Sequence, residues 1–138
     1  MEQVDLTLLL EQAQRRISRD LDRALSEVGA SAEQWRVLDK LADESGLAMG
    51  ELAAQLSLNP PTATKVIDRM VAASLVQRIA DEEDSRRLLV FITDQGLTLY
   101  RKLSRRASAF HAELAASLSE RGTSQLSKLL GQLASSSH

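Results

Sequence analysis

The sequence contains no cysteine, only two prolines and few aromatic residues. Phe, Trp and Tyr together make up 3% of its 138 residues. The absence of cysteine excludes disulfides and thiol-based redox sensing by this chain. Because 43% of the residues are hydrophobic but few carry rings, a core has to be built from Leu, Ala, Val and Ile. Such a composition favours closely packed helices.

Long hydrophobic runs and catalytic signatures are also missing. No apolar run is long enough to cross a bilayer, and the acidic N-terminus does not have a signal-peptide pattern. The histidines His111 and His138 do not form a cluster with metal-ligand spacing, and no Gly-rich phosphate loop is present. We therefore expect a cytoplasmic, single-domain protein that is not an enzyme and holds no metal or cofactor.

The net charge of −2 is distributed unevenly along the chain. Residues 60–106 carry nine basic and six acidic groups, a net charge of +3, which leaves −5 for the remainder. A localised basic segment is what a phosphate-binding surface requires. The contrast is modest, so it supports such a surface only together with other features.

Two long apolar stripes flank the chain. Residues 5–28 predict one helix, with apolar residues at helical spacing and Gly29 as a stop signal. A second stripe runs through residues 97–118, Arg121-Gly122 interrupts it, and a last helix ends in Ser135–His138, which should fray. Pairing these helices within one subunit and across a two-fold axis would bury both stripes. Packing of the first helix onto its own domain is the alternative.

The segment between the stripes predicts a helix-turn-helix followed by a β-hairpin. Ser31 and Gln34 form a capping-box pattern that opens one helix. Residues 50–56 and 61–73 predict a short helix and a second helix joined by a tight turn. The second helix has an apolar inner face and a polar N-terminal tip, as a major-groove recognition helix needs. An ordinary amphipathic helix is the alternative for that stretch alone.

Residues 75–79 and 88–92 predict two strands around the polar loop 81–87, and residues 47–49 predict a minimal strand. A hairpin directly after a helix-turn-helix is a wing. Thr93 and Asp94 then provide an N-cap and a first-turn acid for the next helix. The expected fold is mainly α with a small β-hairpin, a winged helix-turn-helix with N- and C-terminal dimerisation helices.

Several motifs now combine in one order, and the chain resembles the MarR (multiple antibiotic resistance regulator) family of bacterial transcription regulators over nearly its whole length. The motifs are Glu51-Leu52-Ala53 with Leu56, Thr62-Ala63-Thr64-Lys65, Asp68-Arg69-Met70, Leu75-Val76-Gln77-Arg78, and Asp84-Ser85-Arg86 followed by Val90-Phe91-Ile92-Thr93 and Gly96. Ser74 and Pro61 depart from the family, which commonly has Gly and Ser at these positions. The lack of cysteine excludes the peroxide-sensing branch.

The resemblance implies a homodimer with dimerisation helices in residues 1–28 and 97–138 and a DNA-binding lobe in residues 31–96. It also implies binding to palindromic double-stranded operator DNA, usually as a repressor released by a small aromatic, phenolic or carboxylate ligand. A winged-helix module that binds protein without sequence-specific DNA binding is the alternative, because a fold does not fix a function.

On DNA, Thr62, Thr64 and Lys65 are expected to read base edges in the major groove, with Asn59 adding a contact. Arg69 is expected to contact phosphate. Arg86 is the candidate for minor-groove insertion, and Asp84 would orient its guanidinium. Two further arginines, Arg87 and Arg78, are expected either to contact phosphate or to form surface ion pairs. Three residues near the start of the second helix are expected to approach the DNA backbone: Ser31, Gln34 and Arg36.

For the ligand, Arg16, Trp35 and Tyr100 are the candidates. Together they would provide an aromatic wall and a cation for a carboxylate or phenolate. Core packing of Trp35 and Tyr100, and a solvated position for Arg16, are the alternatives.

Overall fold

The computed structural model describes residues 3–135, which form five helices and three short strands. In chain order these are α1 (Leu6–Ser26), α2 (Ala32–Leu41), β1 (Leu47–Ala48), α3 (Met49–Gln55), α4 (Pro60–Ala72), β2 (Val76–Ala80), β3 (Leu88–Ile92) and α5 (Asp94–Ser135). The predicted winged helix-turn-helix, mainly α, is confirmed. Residues 136–138 of the tail that was expected to fray lie outside the described residues.

Side-chain caps define the start of several helices. Ser31 and Gln34 form both hydrogen bonds of the predicted capping box at α2. At α4, the side-chain oxygen of Asn59 accepts from the N–H of Thr62 over 2.9 Å. Both prolines of the chain, Pro60 and Pro61, then occupy the first turn, where a missing N–H costs no hydrogen bond. Local sequence signals therefore set these boundaries to within about one residue.

The sheet is antiparallel, with the order β1-β3-β2. β2 and β3 form the predicted hairpin, in which Val76 is opposite Ile92 and Arg78 is opposite Val90. The minimal strand predicted near residue 47 adds to the other edge of β3 through two residues. A Cβ atom at Gly46 would overlap the ring of Phe91, so glycine allows this close approach. The wing and the segment that leads into α3 therefore share one sheet.

The hydrophobic core takes only the inner half of each long stripe. Leu21 and Leu25 of α1 and Leu103 and Ala107 of α5 are buried in one core cluster that also includes residues of α2, α4 and the sheet. The outer halves carry exposed apolar side chains, namely Val4, Leu6, Leu8, Leu9 and Leu10 near the N-terminus and Leu118, Leu126, Leu129, Leu130 and Leu133 in α5. The inner half of the first stripe therefore packs on its own domain, and its outer half is exposed in the single chain. No helix within residues 3–135 is long and apolar enough to span a membrane.

α5 is interrupted at Ser119 and not at Arg121-Gly122, where the break was expected. Ser119 has φ 65° and ψ 164°, a non-helical conformation. Its side-chain oxygen accepts from the N–H of Gly122 over 3.1 Å, and its carbonyl accepts from the hydroxyl of Thr123 over 2.8 Å. Ser119 therefore caps the last helical segment, and Gly122 lies inside that segment.

α4 ends as it would with glycine, although Ser74 stands there. Ser74 has φ 63°, in the left-handed region. Its N–H donates to the carbonyl of Val71 over 3.0 Å, and the N–H of Leu75 donates to the carbonyl of Met70 over 2.9 Å. This pair of hydrogen bonds is a Schellman motif, which satisfies carbonyls that the helix leaves free.

Candidate nucleic-acid interface

α4 divides into a packed face and an exposed polar face. Ala63, Val66, Ile67 and Met70 are buried, as their helical spacing predicted. The opposite face presents the exposed side chains of Thr64, Lys65, Asp68 and Arg69. Thr62 is half-buried at one margin of this face. The helix therefore offers a short row of hydrogen-bonding groups while its other side is fixed in the core.

The N-terminal tip of α4 is already organised by its own cap. Because the side-chain oxygen of Asn59 accepts from the Thr62 N–H, its amide N–H groups are what remains for a partner. The hydroxyl of Thr62 and the side chain of Thr64 lie within the same helical turn. The tip can thus present both donors and acceptors.

The wing loop, residues 81–87, is closed by hydrogen bonds within itself. The N–H of Asp81 donates to the carbonyl of Arg87 over 2.8 Å. Asp84 accepts from the N–H of Arg86 over 3.1 Å, and the same carboxylate oxygen lies 3.6 Å from Nε of Arg86. The Arg86 side chain is 93% exposed. Asp84 is therefore in the position expected of a residue that orients Arg86, whose guanidinium extends into solvent.

Two ion pairs join the wing to the helix-turn-helix. Arg78 of β2 pairs with Asp68 of α4, and Arg87 at the end of the loop pairs with Glu51 of α3. Arg78 and Arg87 thus both form surface ion pairs, and phosphate contact by either residue stays a prediction. Glu51 and Asp68 were missed as partners, because neither sequence spacing nor charge pattern identifies contacts between residues 36 and 10 positions apart.

Near the start of α2, Ser31 and Gln34 are engaged with each other in the capping box, whereas Arg36 is exposed. Arg36 is thus the member of this group whose charged end is accessible. Ser31 and Gln34 serve the helix start.

Trp35 and Tyr100 lie in the seam between α2 and α5. The indole N–H of Trp35 donates to the hydroxyl of Ser104 over 3.2 Å, and the hydroxyl of Tyr100 donates to Asp39 over 2.7 Å. The hydrogen bond to Asp39 is the largest cause of a raised pKa of Tyr100. Both aromatic side chains therefore tie two helices together, and both pack against the core.

Arg16 lies elsewhere, in a cleft of about 520 Å³. This cleft runs between α1 and α5 and is lined by Arg16, Ile17, Asp20, Phe110, Glu113 and Leu114, among others. Phe110 also contacts His111 edge-on, with 5.8 Å between ring centroids, and His111 lies 6.0 Å from Trp35. The three predicted ligand residues do not converge on one cavity, and Phe110 was not among them.

Comparison with known proteins adds to this geometry. Residues 30–88, from just before α2 to the first residue of β3, match the model of the MarR family. The regulator MgrA of Staphylococcus aureus is 28% identical over 129 residues, which cover 93% of this chain and 86% of MgrA. The regulator FarR of Neisseria gonorrhoeae is 26% identical over 125 residues, which cover 91% and 86%. Both are named HTH-type transcriptional regulators.

Among solved structures, a mutant of MarR from E. coli complexed with operator DNA superimposes with a TM-score of 0.87. It is 25% identical, and the match covers 94% of each chain. The similarity therefore includes the flanking helices as well as the central lobe.

Proposed function

The chain belongs to the MarR family of transcriptional regulators, and we propose that it binds operator DNA as a homodimer and represses transcription until a small aromatic ligand releases it. The observation that carries this proposal is the exposed polar face of α4 beside a wing whose Arg86 side chain is 93% exposed. The operator complex of the similar E. coli protein supports it. The relatives are regulators and not enzymes.

In this proposal α4 enters the major groove. Thr62, Thr64 and Lys65 read base edges there through hydrogen bonds and methyl contacts, and the amide of Asn59 adds a donor. Arg69, one turn further along the exposed face, neutralises a phosphate. The short row of polar groups limits each subunit to a few base contacts.

Arg86 enters the adjacent minor groove. A narrow, A·T-rich minor groove has an enhanced negative potential that attracts an arginine. The carboxylate of Asp84 restricts the guanidinium from the protein side, at 3.6 Å from Nε, without itself facing DNA. Arg87 is engaged by Glu51, so its contribution differs from that of Arg86.

Dimerisation uses the outer halves of the two apolar stripes, within residues 1–28 and 97–138, while residues 31–96 form the DNA-binding lobe. Leu9 and Leu129 are 52% and 57% exposed in the single chain. A contiguous exposed apolar surface typically marks a protein–protein interface. A two-fold axis through these arms would repeat the recognition helix about one DNA turn away, on a palindromic operator.

The ligand part of the proposal concerns the cleft between α1 and α5. Arg16 supplies a cation and Phe110 a ring, as an aromatic carboxylate or phenolate requires. Trp35 and Tyr100 lie in the neighbouring α2–α5 seam and would transmit the effect of the ligand. Release follows if the ligand binds better to a conformation with a different spacing of the two α4 helices.

Selection of bound duplexes from random-sequence DNA tests the DNA part. We expect enrichment of one two-fold symmetric sequence, and a logarithm of the binding constant that falls linearly with the logarithm of salt concentration. Recovery of no preferred sequence, with weak and uniform binding, would contradict specific recognition and favour a protein-binding module.

A thermal-shift screen against small aromatic acids tests the ligand part. A compound that binds should raise the midpoint of thermal unfolding of the wild-type protein and release the selected operator. In Arg16→Ala both effects of the compound should be lost. A compound that stabilises the protein without affecting operator binding would separate the cleft from regulation.

A further inference from the structure

We propose that Glu51 is a positioning residue for the wing, acting through Arg87 to hold Arg86 at the DNA. The inference rests on the proposed DNA-binding function and goes beyond it, because Glu51 itself contacts no DNA in this scheme. It assigns to an acidic residue of α3 a favourable part in binding a polyanion.

The contact joins parts of the chain that lie far apart in sequence. Glu51 stands in the first turn of α3, and its Oε1 accepts from the guanidinium of Arg87, 36 residues later. The two side chains are 48% and 47% exposed, respectively. The pair therefore lies at the surface, where it contributes little to folding but fixes two surface elements relative to each other.

Arg87 is well placed to transmit this restraint to the loop. Its N–H donates to the carbonyl of Asp84 over 2.9 Å, and its carbonyl accepts from the N–H of Asp81 over 2.8 Å. Its backbone is thus bonded to both ends of the loop turn, and Arg86 precedes it directly. A restraint on the Arg87 side chain therefore also restrains the main chain of Arg86.

The bonds inside the loop cannot do this alone. Asp84 contacts Arg86 and closes the turn, but both belong to the loop and move with it. The ion pair of Arg87 with Glu51 instead reaches from the loop to the helix-turn-helix. Asp68 and Arg78 provide a second attachment, further down the hairpin at β2. Glu51 therefore controls the end of the wing that carries Arg86.

The sign of the effect of Glu51 on binding tests the idea. Coulomb repulsion makes a carboxylate beside DNA unfavourable, so removing it would ordinarily tighten binding. If Glu51 positions the wing, Glu51→Gln weakens binding to the selected operator, by about two- to fivefold per half-site given the strength of exposed ion pairs. Unchanged or tighter binding would overturn the proposal.

Glu83→Gln is the matched control. It removes the same charge from the wing loop, where the Glu83 side chain is exposed and forms no ion pair among the described residues. We expect Glu83→Gln to leave operator affinity unchanged or slightly raised. A loss equal to that of Glu51→Gln would show that the effect does not depend on the pairing with Arg87, and would overturn the proposal.

A charge exchange separates positioning from direct phosphate contact by Arg87. Arg87→Glu should bind the operator at least fivefold more weakly than wild type, and Glu51→Arg together with Arg87→Glu should recover most of that loss, to within about twofold. If Arg87 contacts phosphate itself, the double variant binds the operator as weakly as Arg87→Glu does. In both variants the slope of log K against log salt concentration then decreases by the amount expected for about one phosphate contact.

A measurement without DNA keeps this result distinct from the proposed function. Because the chain has no cysteine, Glu82→Cys gives a single site for a nitroxide label on the wing loop. Glu51→Gln should increase the mobility of the label in the spin-resonance spectrum, and the charge exchange should restore it. If the wild-type protein binds no operator, the proposed function fails, but the spectrum still shows whether the ion pair of Glu51 with Arg87 restrains the wing loop. A label that is equally mobile in the wild type and in Glu51→Gln would refute this restraint.

Discussion

The hydroxyl of Thr93 donates a hydrogen bond to the carbonyl oxygen of Ser74 over 2.6 Å, which joins the end of α4 to the start of α5. The same hydroxyl oxygen accepts from the N–H of Gly96 over 3.0 Å and so caps α5. The N–H of Thr93 also donates to the carbonyl of Leu75 over 3.1 Å. One residue thus connects the helix proposed to read DNA with the helix proposed to form the dimer.

Replacing Thr93 by Val removes the cap and the bond to Ser74 while keeping the shape of the side chain. We expect a loss of about 1–2 kcal/mol in the free energy of unfolding, the usual cost of losing a capping hydroxyl. Urea unfolding followed by circular dichroism measures it. Thr93→Ser retains the hydroxyl and should stay within about 0.5 kcal/mol of wild type. A Val variant as stable as wild type would show that the hydroxyl contributes nothing.

Ser74 adopts a left-handed conformation, with φ 63°, that glycine adopts without strain. Ser74→Gly should therefore raise the free energy of unfolding by about 0.5–1 kcal/mol, after the greater freedom of glycine in the unfolded chain is counted. The matched control is Ala72→Gly, two residues earlier at the last residue of α4, which should lower stability by about 0.5–1 kcal/mol. Destabilisation by both variants would argue against a left-handed Ser74.

Arg86→Ala should weaken operator binding by about 1–3 kcal/mol per site and leave the unfolding midpoint unchanged. The reason is that the Arg86 side chain is 93% exposed and, within residues 3–135, its one ion pair is with Asp84 of its own loop, so we expect its loss to affect DNA binding and not the fold. Anisotropy titration of a labelled operator measures the affinity. Arg121→Ala, an exposed arginine in the C-terminal arm, serves as the control of equal charge. Equal affinity of Arg86→Ala and wild type would remove the wing tip from the mechanism.

Leu9→Glu combined with Leu129→Glu should convert a dimer into a folded monomer. Each substitution places a charge on an exposed part of the apolar arms, where burial against a partner would leave it unpaired. Sedimentation velocity at micromolar concentration distinguishes the two states. Leu88→Glu changes a leucine of similar exposure in the wing and should leave the dimer intact. Wild type that sediments as a monomer would contradict the proposed assembly.

Tyr100 is the only tyrosine of the chain, so the ultraviolet absorbance of tyrosinate reports its titration alone. Its hydrogen bond to Asp39 raises its pKa above the ordinary value of 10.0. A raised pKa in the folded state means that the associated stability is present below pH 10 and is lost as the pH rises through the folded-state pKa. Asp39→Asn should lower the titration midpoint, and Tyr100→Phe should flatten the alkaline decline of stability. An unchanged midpoint in Asp39→Asn would contradict this account.

Much of the fold could be predicted from the sequence because its signals are local. The capping box of Ser31 and Gln34, the N-cap Thr93 and the alternating pattern of residues 75–79 each act within a few residues. The break in α5 was misplaced because glycine is the usual helix breaker, whereas Gly122 is helical and Ser119 takes the irregular conformation. No rule of propensity assigns that conformation to a serine.

The candidate site was predictable for the outward face of α4 and for Arg86, where helical period and loop position determine exposure. Its ion pairs were not, because Glu51 and Arg87 meet only after β1, β2 and β3 have formed one sheet. The ligand residues show the same limit. The sequence placed Arg16 and Trp35 in one ligand pocket, but the packing of α1, α2 and α5 puts Arg16 in the α1–α5 cleft and Trp35 in the α2–α5 seam.

The order of the sheet leaves β2 at an open edge, with backbone groups that a strand from another molecule could pair with. Natural proteins guard such edges with charged side chains. Arg78 lies in the middle of β2 and is held against α4 by Asp68. The ion pair that attaches the hairpin to α4 therefore also holds a charged side chain on this edge strand, so loss of Asp68 is expected to reduce the solubility of the protein.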